Sequence, residues 1–184
     1  MKNKGIILIA LFAIVLAFGS CKKGVNDPSF SFKSRDARIT ADWVLSSMNK
    51  SRVEVTTAGQ ETLYTSTTTY VFDGTDMTET SNNGIGDDIE SYSYSYEIVI
   101  NDDGTYNETE TNDGEKFEKT DYWFWANSDK TKIAVTFSGN GTYMIDRLAK
   151  DELVLTQSTV TSETDSDGYV TTVNNDLIMS FTKK

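Results

Sequence analysis

The chain has 184 residues, 17 Lys and Arg against 28 Asp and Glu, one Cys, one Pro and no His, and its formal net charge is −11. The length fits one domain of ordinary size. Without His, the Ser-His-Asp triad, the Cys-His pair and His-ligated zinc or copper are excluded, and a lone Cys cannot form an internal disulfide. An acidic chain is repelled by phosphate backbones, so no nucleic-acid partner is expected.

The first twenty residues have the pattern of an export signal. Lys2 and Lys4 supply a positive start, and residues 6–18 form an unbroken apolar run. Such a run is too short to span a bilayer, which takes about 20 residues, but it has the length of a signal-peptide core. The sequence therefore predicts that residues 1–20 are a signal peptide.

The signal ends in Phe18-Gly19-Ser20-Cys21, which contains the only Cys of the chain. This tetrapeptide resembles the lipobox of bacterial lipoproteins, in which small residues precede a Cys that is lipidated and becomes the mature N-terminus. The resemblance implies a chain anchored in the membrane through acyl groups on Cys21. Lys22 replaces the Asp that retains such proteins at the inner membrane, so an outer-membrane anchor is expected. The periplasmic face is favoured over the cell surface, and an ordinary cleaved signal is the alternative to lipidation.

Residues 21–38 are predicted to be a lipidated tether between the anchor and the folded domain. They are polar, contain the only Pro (Pro28) and show no sustained periodicity. Basic residues outnumber acidic ones in this segment, whereas the rest of the chain is acidic. A basic tether is compatible with the anionic headgroups of a membrane surface.

From about residue 39 onward, apolar and polar residues alternate, which is typical of strands with one buried face. In the clearest case, Tyr92, Tyr94, Tyr96, Ile98 and Ile100 share one face. Asp-Gly or Asn-Gly pairs separate many of the alternating runs and predict tight hairpin turns. Strands are predicted at about 40–46, 51–58, 61–72, 75–81, 88–100, 104–111, 116–126, 131–138, 141–146, 151–162 and 168–182, some of them merged.

Consecutive hairpins predict an all-β domain over residues 39–184. An antiparallel up-and-down β-barrel of roughly 8–10 strands is expected, because closure protects the edges of so long a sheet. A two-sheet β-sandwich is the alternative. One helical turn is predicted near residues 147–151.

The body also resembles the lipocalin-like lipoproteins of outer-membrane bacteria. The similarity is spread over Asp42-Trp43-Val44-Leu45, residues 70–75, 103–106, 122–125, 143–148 and 151–155. The Gly of the lipocalin Gly-x-Trp signature is missing before Trp43, where the chain reads Thr40-Ala41-Asp42, so the signature is broken. The resemblance implies a small barrel with a central cavity that binds a small apolar molecule.

Aromatic residues are the main candidates for a binding site, because their rings and phenol groups can line a cavity and orient a ligand. An ordinary core is the alternative, since a barrel of about eight strands either fills with side chains or holds one small ligand. Residues 122–125 place aromatics on both faces of one strand, so one face is expected to cover an outer surface or meet a partner. The candidate cavity-lining residues are Trp43, Tyr64, Tyr70, Phe72, Tyr92, Tyr94, Tyr96, Trp123, Trp125, Phe137 and Tyr143.

No catalytic residue, metal ligand or cofactor is predicted. The acidic turn at residues 163–168 is similar to the start of a calcium loop, but its first position is Glu163 and its twelfth is Asn174. We therefore expect a non-enzymatic, lipid-anchored binding protein of the bacterial envelope that holds a small apolar or amphipathic ligand. The first alternative is a filled barrel that binds a protein or glycan partner, and a carboxylate-dependent hydrolase is a more distant one.

Overall fold

The computed structural model describes residues 26–28, 31, 33–135 and 141–184. The predicted signal peptide, Cys21 and the candidate Phe137 lie outside the described residues. The described elements are one short helix, α1 (Arg35–Ile39), and the strands β1 (Ala41–Ala58), β2 (Glu61–Phe72), β3 (Asp76–Asn82), β4 (Asp87–Ile100), β5 (Thr105–Asn112), β6 (Glu115–Trp125), β7 (Lys132–Val135), β8 (Thr142–Leu148), β9 (Glu152–Thr164) and β10 (Val170–Lys183). No helix in this part of the chain is long and apolar enough to cross a membrane.

The strands form one closed antiparallel barrel in the order β1-β10-β9-β8-β7-β6-β5-β4-β3-β2. This confirms the predicted all-β, up-and-down barrel. β1 pairs with β10 along most of its length, with β2 through residues 48–58 and with β4 through residues 41–44. The β2–β3 hairpin is therefore inserted between β1 and β4 at one end only. We call that end the mouth, and the opposite end, where β1 begins and β4 ends, the floor.

Turn chemistry explains why the strands end where they do. Asp113 (φ 47°) and Gly114 (φ 84°) form the two-residue connection between β5 and β6, a turn that requires positive φ at both positions. In the connection from β9 to β10, the Asp165 side chain accepts hydrogen bonds from the backbone N–H groups of Asp167 and Tyr169, both at 2.9 Å. The side chain of Asp165 thus stabilises the turn by hydrogen bonds to its backbone.

The core fills the floor half of the barrel. Trp43, Phe181, Leu148 and Leu153 are fully buried there, and Ile39 of α1 covers them from below. The indole Nε1 of Trp43 donates to the Ile39 carbonyl at 2.9 Å, which ties the helix to the first strand. Strand burial declines toward the mouth, where the residues of β9 beyond Gln157 are exposed on both faces.

Most predicted strands agree with the structure to within a few residues, and the first two predicted strands are merged into β1. The predicted helical turn near residues 147–151 is wrong. β8 continues to Leu148, which is fully buried opposite Leu153, and Ala149 then donates to the Glu152 carbonyl at 2.8 Å in a tight turn. Burial of Leu148 in the barrel wall requires extended backbone, which outweighs any local helical preference.

Part of the segment assigned to the tether contacts the barrel. The carboxylate of Asp27 pairs with Arg35 and Arg38 of α1 and accepts from the backbone N–H of Leu148 at 2.8 Å. The amide of Asn26 donates to the Asp146 carboxylate at 2.9 Å. Residues 26–27 and α1 therefore close the floor of the barrel.

Candidate functional site

The inward side chains form rows around the barrel wall because paired strands keep them at the same level. One row is apolar and marks the upper limit of the packed core. Most of its members are buried, and it ends at the half-buried Tyr92. The row joins Ile145, Leu155, Met179, Met48, Phe72, Met77 and Tyr92.

The next two rows toward the mouth are polar, and none of their members is buried. The first joins Gln157, Leu177, Lys50, Tyr70, Glu79 and Glu90, and the second joins Thr159, Asn175, Arg52, Thr68, Ser81 and Asp88. From one row to the next, the inner wall therefore changes from packed apolar side chains to a partly exposed surface of tyrosines, carboxylates and amides. At such a boundary, an amphipathic molecule can pack its apolar part against the core and hydrogen-bond its polar part to the tyrosines and carboxylates.

Tyrosine hydroxyl groups and carboxylates are paired along the inner wall above the core. The phenol of Tyr96 donates to Glu108 Oε2 at 3.0 Å and lies 3.2 Å from the Tyr106 hydroxyl. Glu110, on the neighbouring strand β5, lies close enough to Tyr94 for its charge to raise the pKa of that phenol. In the neighbouring hairpin, Tyr70 and Glu79 are direct cross-strand partners. The hydrogen bond to Glu108 holds the Tyr96 ring in place, and the carboxylate lone pairs that it does not use are left for other donors.

The carboxylates and burial together keep the phenols protonated. Burial, followed by the charges of Glu79 and Glu110, raises the pKa of Tyr92. Burial and then Glu110 raise the pKa of Tyr94, and burial and then Tyr106 raise that of Tyr96. Burial, with a smaller effect of Glu108, raises the pKa of Tyr143 to about 12. These phenols are therefore neutral hydrogen-bond donors at every physiological pH.

The ring contacts show how the tyrosines join the core. The Phe72 and Tyr94 rings meet edge to face with their centroids 5.6 Å apart, and the Tyr92 and Tyr94 centroids are 6.5 Å apart. Lys50 extends over the Tyr70 ring, with its Nζ 4.9 Å from the ring centroid. The aromatic surface is thus continuous from the buried Phe72 to the half-buried phenols of the mouth.

The structure divides the sequence-predicted aromatic residues into separate groups. Trp43, Phe72, Trp123 and Tyr143 are buried in the core. A second group, half-buried in the barrel interior, consists of Tyr70, Tyr92, Tyr94 and Tyr96. Tyr64 lies near the rim and is 43% exposed, and Trp125 lies at the floor end.

The sequence analysis missed the carboxylates that share this interior, namely Glu79, Glu90, Glu108 and Glu110. Their signal was present in the alternation. Glu90 has the parity of Tyr92 on β4, and Glu108 and Glu110 have the parity of Tyr106 on β5. They were overlooked because charged residues in an alternating strand are ordinarily assigned to the solvent face.

A second aromatic region lies at the floor end of the barrel. Trp123 and Trp125 meet edge to face with centroids 5.5 Å apart. The indole of Trp125 donates to Asp36 Oδ1 at 2.7 Å, and Lys130 pairs with the same carboxylate. The hydrogen bond from Lys130, with a smaller one from Trp125, lowers the pKa of Asp36. A hollow of about 380 Å³ is lined by Asp36, Thr40, Asp102, Asp103, Gly104, Trp123, Phe124 and Trp125.

The outer wall of β6, β8, β10 and β2 carries exposed apolar side chains. Phe124, Met144, Ile178 and Val71 are each about half exposed. Met144 and Ile178 flank Thr156 in one cross-strand row and line a hollow of about 530 Å³ on this surface. We call these four residues the outer apolar band. It agrees with the expectation that one face of residues 122–125 covers an outer surface.

Within the described ranges, no three His, Cys, Asp or Glu side chains are placed to hold a metal ion. Comparison with known proteins adds no constraint on function. No protein-family model, no curated protein and no solved structure matches the chain. The function must therefore be inferred from the chemistry of the barrel and from the sequence motifs.

Proposed function

We propose that the protein is a non-enzymatic, lipid-anchored binding protein of the bacterial envelope that holds a small amphipathic molecule in the mouth of its barrel. This is the lipocalin-like function that the sequence resemblance implies. The observation that carries the proposal is the boundary between the apolar row ending at Tyr92 and the polar row that contains Tyr70 and Glu79. An apolar group of the ligand would rest on the core, and its polar group would meet the tyrosines and carboxylates.

The pattern of burial supports a site in the mouth in preference to the floor. A ligand at the floor would have to displace fully buried side chains such as Trp43 and Phe181. Removing that packing would cost several kcal/mol, because buried aromatic residues contribute about 3–5 kcal/mol each. The half-buried phenols of Tyr92 and Tyr94 exchange contact with water for contact with a ligand at far lower cost.

Native mass spectrometry of the soluble chain 22–184, purified gently from a Gram-negative host, tests the binding function. We expect a noncovalent adduct of a few hundred daltons that is released when the protein is denatured. The released molecule would then be identified from its fragments. A bare mass in repeated gentle preparations would count against a retained ligand.

For the anchor, we propose acylation of Cys21 and attachment to the outer membrane, on the periplasmic face. The support is the lipobox-like Phe18-Gly19-Ser20-Cys21 and the Lys that follows it. Several acyl chains on one residue would make the attachment stable, whereas one chain alone is marginal. The short connection from Cys21 to the floor residues Asn26 and Asp27 would keep the floor near the membrane.

Labelling cells with a clickable fatty acid tests the anchor. Wild-type chain should incorporate the label and Cys21→Ser should not. Labelling of Cys21→Ser at the wild-type level would contradict acylation at this residue. Separation of inner from outer membranes on a sucrose gradient then tests the predicted location.

A second candidate function is a barrel that presents its outer wall to a protein partner of the envelope. The outer apolar band favours it, because exposed apolar residues that lie together often mark an interaction site. Replacing Met144 and Ile178 by Ser should abolish recovery of an envelope protein crosslinked in cells. Unchanged crosslinking in that variant would contradict the use of this surface.

A further inference from the structure

We propose that the molecule held in the mouth is an organic cation, an amphipathic compound with an ammonium group attached to an apolar part. The inference depends on the proposed function, because it names the chemical class of the ligand for that same site. We define the mouth cluster as Tyr70, Tyr92, Tyr94, Glu79, Glu90 and Glu110. Three properties of this cluster carry the inference: its rings, its charge balance and the position of Lys50.

The aromatic rings and carboxylates of the mouth cluster lie on neighbouring strands of the inner wall. Glu79 and Glu90 are direct cross-strand partners, and Tyr92 is the inward neighbour of Glu90 along β4. Tyr94 follows Tyr92 on that face, with the two ring centroids 6.5 Å apart, and Glu110 lies on the neighbouring strand β5. Ring faces attract cations through their quadrupole, and carboxylates attract them directly. The cluster therefore presents two kinds of cation-binding group to one volume.

The inner wall near the mouth carries more acidic than basic side chains, so its negative charge is only partly offset by the chain itself. Of the inward basic side chains, Arg52 is paired with Glu54 at 2.7 Å, Lys50 lies over the Tyr70 ring, and Lys119 lies opposite Glu108. In the described part of the chain, no ion pair joins Glu79, Glu90 or Glu110 to a Lys or Arg. A neutral apolar ligand would strip water from these carboxylates without replacing it, and an anionic one would be repelled. A cation offsets the loss of water with a direct attraction.

Lys50 shows that an alkylammonium group fits this surface. Its Nζ lies 4.9 Å from the centroid of the Tyr70 ring, and Tyr70 is the direct cross-strand partner of Glu79. The chain thus places its own ammonium against a tyrosine–glutamate pair at one side of the mouth. Tyr94 and Glu110 are a second tyrosine and carboxylate on neighbouring strands, and the described residues supply no ammonium over the Tyr94 ring. A ligand ammonium would take the equivalent position there.

Titration with three probes of equal chain length separates charge from hydrophobicity. Hexyltrimethylammonium, 1-hexanol and hexanoate share a six-carbon chain and differ in the charge of the head group. Isothermal titration calorimetry of the full chain in a maltoside detergent, with detergent buffer as the reference, gives the three affinities. We expect hexyltrimethylammonium to bind about tenfold more tightly than hexanol, because cation–ring and cation–carboxylate contacts together contribute about 1–2 kcal/mol.

Variants assign that preference to the mouth cluster. The double variant Glu79→Gln, Glu110→Gln should lose most of the preference for the cation and keep the affinity for hexanol. Glu118→Gln is the matched control, because Glu118 is an exposed residue on the outer face of β6, paired only with Lys116. It should change neither affinity.

The outcomes distinguish the cation inference from the proposed binding function. Equal binding of all three probes would overturn the cation inference and leave the proposed binding function intact. Binding of none of them would overturn both. A cation preference that survives the double variant would show that the cation binds elsewhere, which also overturns the inference.

Discussion

The phenol of Tyr96 donates a hydrogen bond of 3.0 Å to Oε2 of Glu108, one strand away on the inner wall of the barrel. This contact lies at the junction between the packed floor and the polar mouth, because Tyr96 also packs against Phe181 with ring centroids 6.2 Å apart. A carboxylate so close to a core is stable only with hydrogen-bond donors nearby. The hydrogen bond between Tyr96 and Glu108 therefore stabilises the barrel and also holds a carboxylate beside the proposed site.

Replacing Tyr96 by Phe should lower the free energy of unfolding by about 1–2 kcal/mol, because Glu108 and Tyr106 each lose a partner. Urea denaturation at pH 7 measures the change. Tyr169→Phe is the control, since Tyr169 lies in the exposed β9–β10 connection and only its backbone takes part in the turn. Equal stability of the two variants would contradict the role of the Tyr96–Glu108 pair.

Raising the pH above about 10 should destabilise the barrel progressively. The folded-state pKa values of Tyr94, Tyr96 and Tyr143 lie above the ordinary value of 10.0. Above pH 10 the unfolded chain therefore binds fewer protons than the folded chain, so stability is complete below that pH and falls as the pH rises toward about 12. Tyrosinate absorbance and far-ultraviolet circular dichroism should change together. Full ionisation of all tyrosines with the fold intact would contradict this prediction.

Replacing Asp27 by Asn should lower the free energy of unfolding by about 3–5 kcal/mol, because it leaves Arg35 and Arg38 buried without their counter-charge. Chemical denaturation of the full chain measures it. Asp146→Asn is the control, because Asp146 is exposed and receives only the Asn26 amide at 2.9 Å. A loss below about 1 kcal/mol for Asp27→Asn would show that residues 26–27 do not secure the floor.

Neighbouring residues of β9 test the strand register. Leu153→Ala should cost about 2–5 kcal/mol, because Leu153 is fully buried opposite Phe181. Val154→Ala should cost under about 1 kcal/mol, because Val154 points to the outer face. A register shifted by one residue would reverse the two results, which thermal denaturation of both variants would reveal.

The fold could be predicted from the sequence because two local signals agree along most of the body. Alternation fixes which residues share a face, and pairs such as Asp113-Gly114 fix where a strand must reverse. The ends of β7 (Lys132–Val135) and of the strand that ends at Leu148 were harder to predict, because no Asp-Gly or Asn-Gly pair immediately follows either strand. Their extents depend on partners distant in the sequence.

The interior chemistry was only partly predictable. The tyrosines of β4 were found as a set because they alternate with serines, but alternation alone does not tell how deeply each one is buried. Tyr92 and Trp43 were both candidates for a cavity, yet Trp43 is fully buried and Tyr92 is half-buried. The difference arises because β1 pairs with β4 at the floor and with β2 toward the mouth.

Blocking the mouth with a large side chain is the most direct test of ligand binding there. Thr68 and Thr69 are adjacent on β2, but Thr68 faces the interior opposite Arg52 and Thr69 shares the outer face of Val71. Chain 22–184 should enhance the fluorescence of N-phenyl-1-naphthylamine, a small neutral amphipathic probe. We expect that Thr68→Trp, whose indole would fill the mouth, loses this response while Thr69→Trp keeps it at the same melting temperature. Equal responses from the two folded variants, or no response from the wild-type chain, would contradict a binding site in the barrel mouth.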